Sequence, residues 1–497
     1  MLSLFRMGMV AIAIIATLII HPQPAHAFCG FYVAKADTNL YNQASQVAIA
    51  RDGTHTVLTM GNDYQGEVSD FALVVPVPTI ITADQVDVAE PVVLDRLDAF
   101  SAPRLVEYFD RDPCEVLRPF QVDESLRLSQ RTTTPSAAPA PTSSEALGVT
   151  IEEQFAVGEY DILILSARQS DGLETWLRQN QYHLPQGASS VLAPYIRQGM
   201  KFFVARVNLE QFDRSGYQSL RPLQITYDSP KFMLPIRLGM LNADGDQNLI
   251  IYLLSPEGRI ELTNYRTVPI PTDIELPLFV QDEFGQVYPE IFQRRYQQEN
   301  KNVAFLEYAW DMRGCDPCSA EPLTPAELEA AGVTWLDRAP QPPSLPPGVI
   351  PPRPLPPTRP PAIFISRLHV RYSRDRFPED LMFQTTANRQ FFQGRYVTHH
   401  AFTGSLDCPA RLREEYANEA DRRQLEAWLG QEYRDIVKAA QDRGQTYLRN
   451  LMARFEQESQ NLARLTGRDI QTIRQRISDE VPQPTPSPWL VRYPQAG

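Results

Sequence analysis

The sequence predicts an α+β fold in which antiparallel sheets pack with helices, followed by a C-terminal helical hairpin or bundle. Candidate strands and helices occur in blocks rather than in strict alternation, which favours antiparallel sheets over a doubly wound parallel fold. The 497 residues exceed what one hydrophobic core usually supports, about 250 to 300 residues. Residues 409–480 are rich in Arg, Glu, Gln and Ala with apolar residues near heptad spacing, which is typical of helices.

The chain is acidic, with 47 Lys and Arg residues against 60 Asp and Glu residues and a formal net charge of -13. A nucleic-acid backbone has to be met by a net basic surface, so non-specific nucleic-acid binding is excluded as a function. We therefore expect no nucleic-acid partner.

Residues 1–27 have the features of a signal peptide. Arg6 provides a positive charge, residues 10–20 are an apolar run apart from Thr17, and Ala25-His26-Ala27 places small residues at the -3 and -1 positions. We expect cleavage after Ala27 and an extracytoplasmic protein, either periplasmic or secreted. The run is shorter than the roughly 20 residues that span a bilayer, and no later stretch is apolar enough, so no transmembrane helix is expected after cleavage.

Proline-rich stretches at 132–144 and 340–361 divide the remaining chain, because such sequences favour extended or flexible backbone. The predicted divisions are an N-terminal α+β module at 28–130, a flexible linker at 131–147, a central α+β module with a C-x-P-C loop at 148–339, a Pro-rich spacer at 340–361, a β segment at 362–408 that packs on the central module, a C-terminal helical region at 409–480, and a disordered tail at 481–497.

The first module begins with a hairpin. Residues 46–50 and 55–60 are rich in β-forming residues, and Gly53 between them supplies a residue that tolerates positive φ. Residues 71–77 form a third strand. Val93, Leu97 and Phe100 then recur at helical spacing, and Ser101 with Pro103 is expected to open a second helix carrying Leu105, Val106 and Phe109.

The central module mixes strands and helices. The expected strands are 161–165 and 201–207, followed by an antiparallel meander of 233–240, 249–254 and 260–268. Two helices are expected between the first two strands. The first carries Leu173, Trp176 and Leu177, and the second carries Val191, Leu192, Tyr195 and Ile196. After the spacer, 363–372, 382–386 and 391–399 are expected strands. They must pack on earlier strands, because alone they would make a thin sheet.

The tail carries Leu448, Met452, Phe455 and Leu462 at near-heptad spacing, and we expect a last helix to start at Thr466. The short pattern favours helices that pack on their own domain. Oligomerisation through these helices is the alternative.

Five cysteines follow the leader and are candidates for structural disulfides: Cys29, Cys114, Cys315, Cys318 and Cys408. Export permits disulfides, and at most two can form. Cys29 and Cys114 bracket the first module, so we expect a bond between these two.

The spacing of Cys315 and Cys318 in a C-x-P-C loop after a strand is typical of thioredoxin-like redox sites. In such sites a helix starts at the cysteines and lowers the first thiol's pKa. Here Thr324-Pro325-Ala326-Glu327 is a capping box that starts the local helix later. The sequence therefore favours a structural bridge or loop clamp over a redox centre.

Other motifs for catalysis or metal binding are weak. The sequence has no G-x-S-x-G, Walker loop, G-x-G-x-x-G or H-E-x-x-H. His399 and His400 are adjacent on a strand and would point to opposite faces, so sharing one ion is disfavoured. No cofactor is expected.

One loop has the alternating oxygen ligands of a calcium site. These residues are Asn242, Asp244, Asp246 and Asn248. Gln247 stands where an EF-type loop has glycine, and Leu253 where it has glutamate. A polar hairpin turn is therefore the favoured interpretation.

Long segments resemble one bacterial family. They are ASQVAIARDGTHTVLTMGNDY, FALVVPVP, FSAPRLVEYFDRDPC, SDGLETWLRQNQYHLPQG, APYIRQGMKFFVARV, SPKFMLPIRLG, YAWDMRGCDPC and RLHVRYSRDRFPEDLMFQ. These strings are similar to domain-of-unknown-function family 2330. The resemblance implies an exported bacterial protein, often proline-rich between modules, with no established activity and hence no catalytic residues to assign.

Two functional hypotheses follow. The first is a non-enzymatic binding or scaffolding module outside the cytoplasmic membrane, with an unknown protein or cell-envelope partner. The alternative is a thiol-disulfide oxidoreductase that uses Cys315 and Cys318.

Overall fold

The computed structural model describes residues 31–34, 41–42, 45–61, 64–65, 71–114, 149–180, 187–217, 220–241, 246–313, 321–337, 362–415, 423, 427 and 430–482. The predicted signal peptide, linker and proline-rich spacer lie outside the described residues, as does the tail beyond 482. Within them the fold is α+β, with mostly antiparallel sheets and C-terminal helices, which confirms the predicted class.

The strands are β1 (Phe31–Ala34), β2 (Tyr41–Asn42), β3 (Ser45–Asp52), β4 (His55–Gly61), β5 (Tyr64–Gln65), β6 (Phe71–Val77), β7 (Val86–Val88), β8 (Arg104–Phe109), β9 (Val149–Val157), β10 (Tyr160–Ala167), β11 (Lys201–Val207), β12 (Leu223–Asp228), β13 (Met233–Leu234), β14 (Gln247–Ser255), β15 (Ile260–Leu262), β16 (Arg266–Pro269), β17 (Ile274–Glu275), β18 (Val303–Asp311), β19 (Phe364–Tyr372), β20 (Leu381–Thr385), β21 (Phe392–Gln393) and β22 (Arg395–His400).

The α-helices of the described segments are α1 (Val92–Ser101), α2 (Ser170–Gln179), α3 (Ala188–Arg197), α4 (Leu209–Ser215), α5 (Phe284–Gln298), α6 (Pro325–Ala330), α7 (Cys408–Glu415), α8 (Gln431–Thr466) and α9 (Ile470–Glu480).

The largest sheet has the strand order β16-β18-β19-β14-β3-β4-β12-β7, with β21 also paired to β18. The pairing of β3 with β14 is parallel, with Ser45 opposite Leu249, and β19 pairs antiparallel with both β14 and β18. Strand pairing therefore crosses the predicted boundaries between residues 28–130, 148–339 and 362–408, and the three segments share one sheet.

A second sheet has the order β1-β6-β11-β10-β9 and packs face to face on the large sheet. Side chains such as Val75 and Ile164 from the second sheet meet Val47 and Ile251 from the first in one core. The outer face of the second sheet is covered by α2 and α3. The outer face of the large sheet is covered by α1, α5 and α6, so the molecule has four layers.

The hairpin of β3 and β4 confirms the predicted turn, where Gly53 has φ +58. The segment expected to form a second helix after Ser101 is instead strand β8. Pro103 follows the extended C-cap Ala102, and β8 pairs parallel with β22. The helix prediction was wrong because the apolar spacing of this segment does not show that a partner strand lies near it.

The expected meander was also wrong. The three predicted segments contain four strands, because 260–268 holds both β15 and β16. These strands pair with distant segments: β13 and β15 with β20, β14 with β3 and β19, and β16 with β18. Strand β14 pairs with β19 along its whole length, which the short neighbouring strands β13 and β15 could not match.

The C-terminal helices pack on the rest of the protein. Phe455, Leu462, Ile473 and Ile477 are buried in a core shared with α5, while Met452 is exposed. Thr466 ends α8 rather than starting the last helix, because Gly467 at φ +84 stops α8 and Asp469 caps α9. Within the described residues we find no helix with the length and apolar character needed to cross a membrane.

Candidate functional site

Strand β19 places a row of ionisable side chains on one face of the large sheet. Successive residues of a strand point to opposite faces. Leu368, Val370 and Tyr372 belong to the core between the two sheets. Arg367 and His369 are on the other face, under helices α1 and α5.

Glu307 of the neighbouring strand β18 is the centre of this row. It is fully buried, and Arg367 Nε donates to its Oε2 at 2.7 Å. His369 Nδ1 lies 2.9 Å from Oε1, and the hydroxyl of Tyr288 on α5 donates to the same oxygen. We call Glu307, Arg367, His369 and Arg371 the charged row.

The contacts of Glu307 decide its protonation. Burial alone would raise the pKa of the Glu307 carboxyl, but His369 and Arg367 lower it to about 2. Burial lowers the pKa of His369, so a neutral ring with its proton on Nδ1 can donate to Glu307. Glu307 is thus ionised at neutral pH.

Arg367 also joins helix α1 to the sheet. Its Nη1 donates to Asp98 Oδ1 at 2.7 Å, and the hydroxyl of Tyr252 on β14 donates to the same oxygen at 2.8 Å. Burial lowers the pKa of Arg367, but Tyr252 and Glu307 more than offset this and raise it above its ordinary value. One buried guanidinium therefore links three strands and a helix.

The other end of the row approaches the surface. Arg371 Nε donates to Asn248 Oδ1 at 2.7 Å, and His369 Nε2 lies 3.3 Å from the same oxygen. The His369 ring stacks on Phe292 of α5 with 3.8 Å between ring centroids.

This arrangement bears on the predicted calcium loop. Asn248 lies on β14, where its side-chain oxygen already accepts from Arg371, and a guanidinium at this distance repels a cation. Asp246 accepts from the Tyr296 hydroxyl at 3.3 Å, while Asn242 and Asp244 lie outside the described residues. No set of three or more His, Cys, Asp or Glu side chains suited to a metal ion occurs among the described residues.

The charged row is poorly suited to acid-base catalysis. A general base must reach the proton that it removes, and its pKa should lie near the working pH. Glu307 is fully buried, both of its oxygens accept hydrogen bonds, and its pKa is about 2. The row acts instead as a polar joint between the sheet and its helices.

A second cluster lies where β8 and β22 meet α8. Asp110 accepts from Arg454 at 2.9 and 2.8 Å and from the Tyr447 hydroxyl at 2.6 Å. Burial alone would raise the pKa of Asp110, but these donors hold it below its ordinary value. Burial raises the pKa of Glu458, next to Arg454 on α8, to about 8.

His399 and His400 of β22 have different partners. His399 lies 3.6 Å from Glu275 and 3.8 Å from Asp110, while His400 lies 2.9 Å from Glu107. His399 also stacks with Tyr108, and His400 with Phe109 at 4.2 Å between centroids. Adjacent residues of a strand point to opposite faces, so the two imidazoles contact different side chains and do not converge on one ion.

The described disulfide joins Cys114 to Cys408, which are 294 residues apart in the chain. The expected bond between Cys29 and Cys114 was therefore wrong. The parallel pairing of β8 with β22 brings the residues that follow each strand together, and Arg411 of α7 also pairs with Asp112. Cys29, Cys315 and Cys318 lie outside the described residues.

The helix expected after the C-x-P-C loop is present as α6. Thr324 accepts from the Glu327 amide at 3.3 Å, and the Glu327 carboxylate accepts from the Thr324 amide at 2.7 Å. This confirms the capping box and places the N-cap six residues after Cys318.

No catalytic or metal-binding motif of the sequence includes Glu307, Arg367 or Arg371. A signal for them exists in the strand predicted at 363–372, where Arg, His and Arg alternate with Leu, Val and Tyr. Charged residues at every second position of a strand that must pack on both faces indicate a buried polar row.

Comparison with known proteins agrees with the resemblance noted in the sequence. No curated protein and no solved structure matches this chain. The model of the family described as "uncharacterized protein conserved in bacteria", domain-of-unknown-function family 2330, matches residues 23–384. This match contains the whole charged row but ends before β22 and the C-terminal helices. The chain belongs to this bacterial family.

Proposed function

We propose that this chain is an exported bacterial protein that binds an extended segment of a partner polypeptide outside the cytoplasmic membrane, without catalysing a reaction. The observation that supports this most is an exposed strand edge. Tyr108 and Phe109 at the end of β8 are 44% and 71% exposed, although large aromatic side chains are usually buried. We call residues 107–109 the strand-edge surface.

Strand β8 is the last strand in the order β17-β22-β8. The amide of Arg104 donates to Gly394 and that of Asp110 to His400, so the even-numbered residues of β8 bond to β22. In a parallel ladder the odd-numbered residues then direct their amides and carbonyls away from β22. In the described chain no strand pairs with β8 on that side, and a partner segment could add there as a new strand.

The side chains around the strand-edge surface favour a basic partner. Glu107 and Glu275 lie beside His400 and His399, and their carboxylates bring acidic groups to the neighbourhood of this surface. Exposed Tyr and Phe rings can also hold the head group of Lys or Arg by cation–π attraction. The net charge of the whole chain, -13, acts in the same direction.

The charged row supports a non-catalytic role, because its carboxylate is buried and occupied by internal donors. The Cys114–Cys408 disulfide supports export, since disulfides persist in oxidising compartments. Sequencing the N-terminus of the protein from the cell envelope or medium tests export. We expect it to start at Phe28, and recovery of an intact Met1 in the cytoplasm would contradict export.

Binding is tested with two labelled peptides of equal length, alternating Lys with Val or Glu with Val. Fluorescence anisotropy should show that the full chain prefers the Lys peptide. Phe109→Ala should weaken binding about tenfold or more, as expected for an aromatic hot spot. Leu209→Ala on α4, another exposed apolar residue, is the matched control and should have no effect. Equal affinity for both peptides, or equal loss in both variants, would rule out the strand-edge surface.

A further inference from the structure

Arg371 differs from Arg367, the other arginine of the charged row, because the described acceptors of its hydrogen bonds are uncharged. Its Nε donates to Asn248 and its Nη1 to Gln293, and both acceptors are neutral amide oxygens. Within the segments that the structure describes, no carboxylate forms an ion pair with Arg371. Its Nη2 has no described acceptor either, and it is not among the enclosed polar atoms that lack one.

This guanidinium is held in place by aromatic rings. Its Cζ lies 4.8 Å from the centroid of Phe292 and 5.6 Å from that of Tyr296. Burial lowers the pKa of Arg371, and Asp246, which forms no ion pair with it, offsets the cost of burying this charge only in part. An anion on the open side of the guanidinium would offset this cost, because a charged partner forms shorter and stronger hydrogen bonds.

Lys301 lies on the same aromatic side chain. Its Nζ is 5.7 Å from the Tyr296 ring centroid, and its amide donates to the Tyr296 carbonyl at 3.0 Å. Both Lys301 and the preceding Asn300 have positive φ, +60 and +58. Non-glycine residues adopt this backbone at a cost, and such strain is concentrated at functional sites. The turn thus keeps Lys301 beside Tyr296, the ring that Arg371 also contacts.

Arg376 adds a third cation that acts electrostatically on Tyr296. Its side chain is 49% exposed and lies 3.4 Å from Asp375. Asp246, which immediately precedes β14 and accepts from the Tyr296 hydroxyl, is a carboxylate that acts electrostatically on Arg371. Among the described residues around Tyr296, three cations therefore face two carboxylates.

We infer that Arg371, Lys301 and Arg376 form a binding site for a small oxyanion, either phosphate or a carboxylate. Arg371 would donate from Nη2 to an oxygen of such a group, from a guanidinium that Asn248 and Gln293 hold in place. Lys301 and Arg376 would close over it from the solvent side. This site is separate from the strand-edge surface, and the peptide experiment does not depend on it.

Isothermal titration of the full chain with sodium phosphate and with sodium acetate, at constant ionic strength in chloride, tests the site. We expect saturable binding of at least one of the two oxyanions. Arg371→Gln should weaken binding at least tenfold and Lys301→Gln several-fold, whereas Asp246→Asn should strengthen it. Arg178→Gln, which changes an exposed arginine paired with Glu174 on α2, is the control and should bind as the parent does.

Circular dichroism checks that Arg371→Gln is folded. Lys301 and Arg376 are closer to solvent, so their glutamine variants test the site even if Arg371→Gln unfolds. The inference is overturned if neither oxyanion binds more tightly than chloride. It is also overturned if Lys301→Gln and Arg376→Gln bind the oxyanion with the affinity of the Arg178→Gln control.

Discussion

Glu307 and Arg367 form a buried ion pair between neighbouring strands, with 2.7 Å between Oε2 and Nε and with side chains that are 0% and 7% exposed. Moving two charges out of water is costly, and the attraction between them offsets this only while both are present. The intact pair therefore contributes little net stability. Removing either partner is costly, because the other charge stays buried.

Glu307→Gln should lower the free energy of unfolding by about 3 to 5 kcal/mol, because it leaves Arg367 charged and buried, with Asp98 as its one ionic partner among the described residues. Urea unfolding followed by tryptophan fluorescence measures this. Glu174→Gln, which breaks an exposed pair with Arg178 on α2, should cost no more than about 0.5 kcal/mol. Similar losses in the two variants would contradict the buried-pair interpretation.

The stability of the protein should fall as pH rises from about 5 to 8 through the contribution of Glu458. Burial raises the pKa of this carboxyl from 4.5 to about 8, so in this window the unfolded chain has lost a proton that the folded protein keeps. The contribution is fully present below pH 4.5 and is lost as pH rises through about 8. Its slope is at most about 1.4 kcal/mol per pH unit.

Glu458→Gln removes this titration. Urea unfolding of parent and variant at pH 5, 6, 7 and 8 should show a stability difference that moves in favour of the variant with each step. Arg454, Asp110 and Glu275 face Glu458 in both proteins and stay unchanged. A difference that is constant across this range would show that Glu458 titrates as an ordinary surface carboxyl.

The double variant Cys114→Ser and Cys408→Ser should be less stable by about 2 to 4 kcal/mol, because the disulfide restricts a long loop of the unfolded chain. Dithiothreitol should lower the melting temperature of the parent more than that of the variant, which keeps the bridge expected between Cys315 and Cys318. Peptide mapping without reduction should recover Cys114 linked to Cys408. A peptide linking Cys29 to Cys114 would refute this pairing.

Cys315 and Cys318 remain the residues that distinguish a structural protein from an oxidoreductase. Changing both to serine should lower the melting temperature by a few degrees, in line with about 1 kcal/mol or more lost. The parent protein should not reduce a standard disulfide substrate. Reduction of that substrate by the parent and its loss in Cys315→Ser would favour the thiol-disulfide oxidoreductase instead.

Gly332→Ala should destabilise the protein more than Gly199→Ala. Both glycines have positive φ, +90 and +70, so each alanine costs about 1 to 2 kcal/mol in backbone strain. A Cβ on Gly332 would also lie 2.5 Å from Val57 Cγ1, while one on Gly199 meets no atom within 4 Å. Thermal unfolding of the two variants separates overpacking from backbone strain. Equal melting temperatures would mean that the Val57 side chain moves to accommodate the new Cβ without loss of stability.

Local structure was largely predictable from the sequence, while the pairing of distant strands was not. The hairpin around Gly53 and the strand Lys201–Val207 follow from alternation and turn residues that lie within a few positions of each other. Strand β8 was predicted as a helix, because Leu105, Val106 and Phe109 fit helical spacing. Its extended backbone is stabilised by hydrogen bonds to β22, which is distant in sequence. The charged row needed the same long-range information, since Glu307 and Arg367 meet only when β18 pairs with β19.

The parallel pairing of β3 with β14 sets an order for folding during synthesis. The hairpin of β3 and β4 emerges first, but the other edge of β3 stays unpaired until Leu249 and the rest of β14 have been made. Strand β19 joins later still, beyond the proline-rich spacer. A nascent chain thus exposes a central, apolar strand edge for much of its synthesis, which favours aggregation. Protection of that edge until the middle of the chain arrives should therefore control the yield of folded protein.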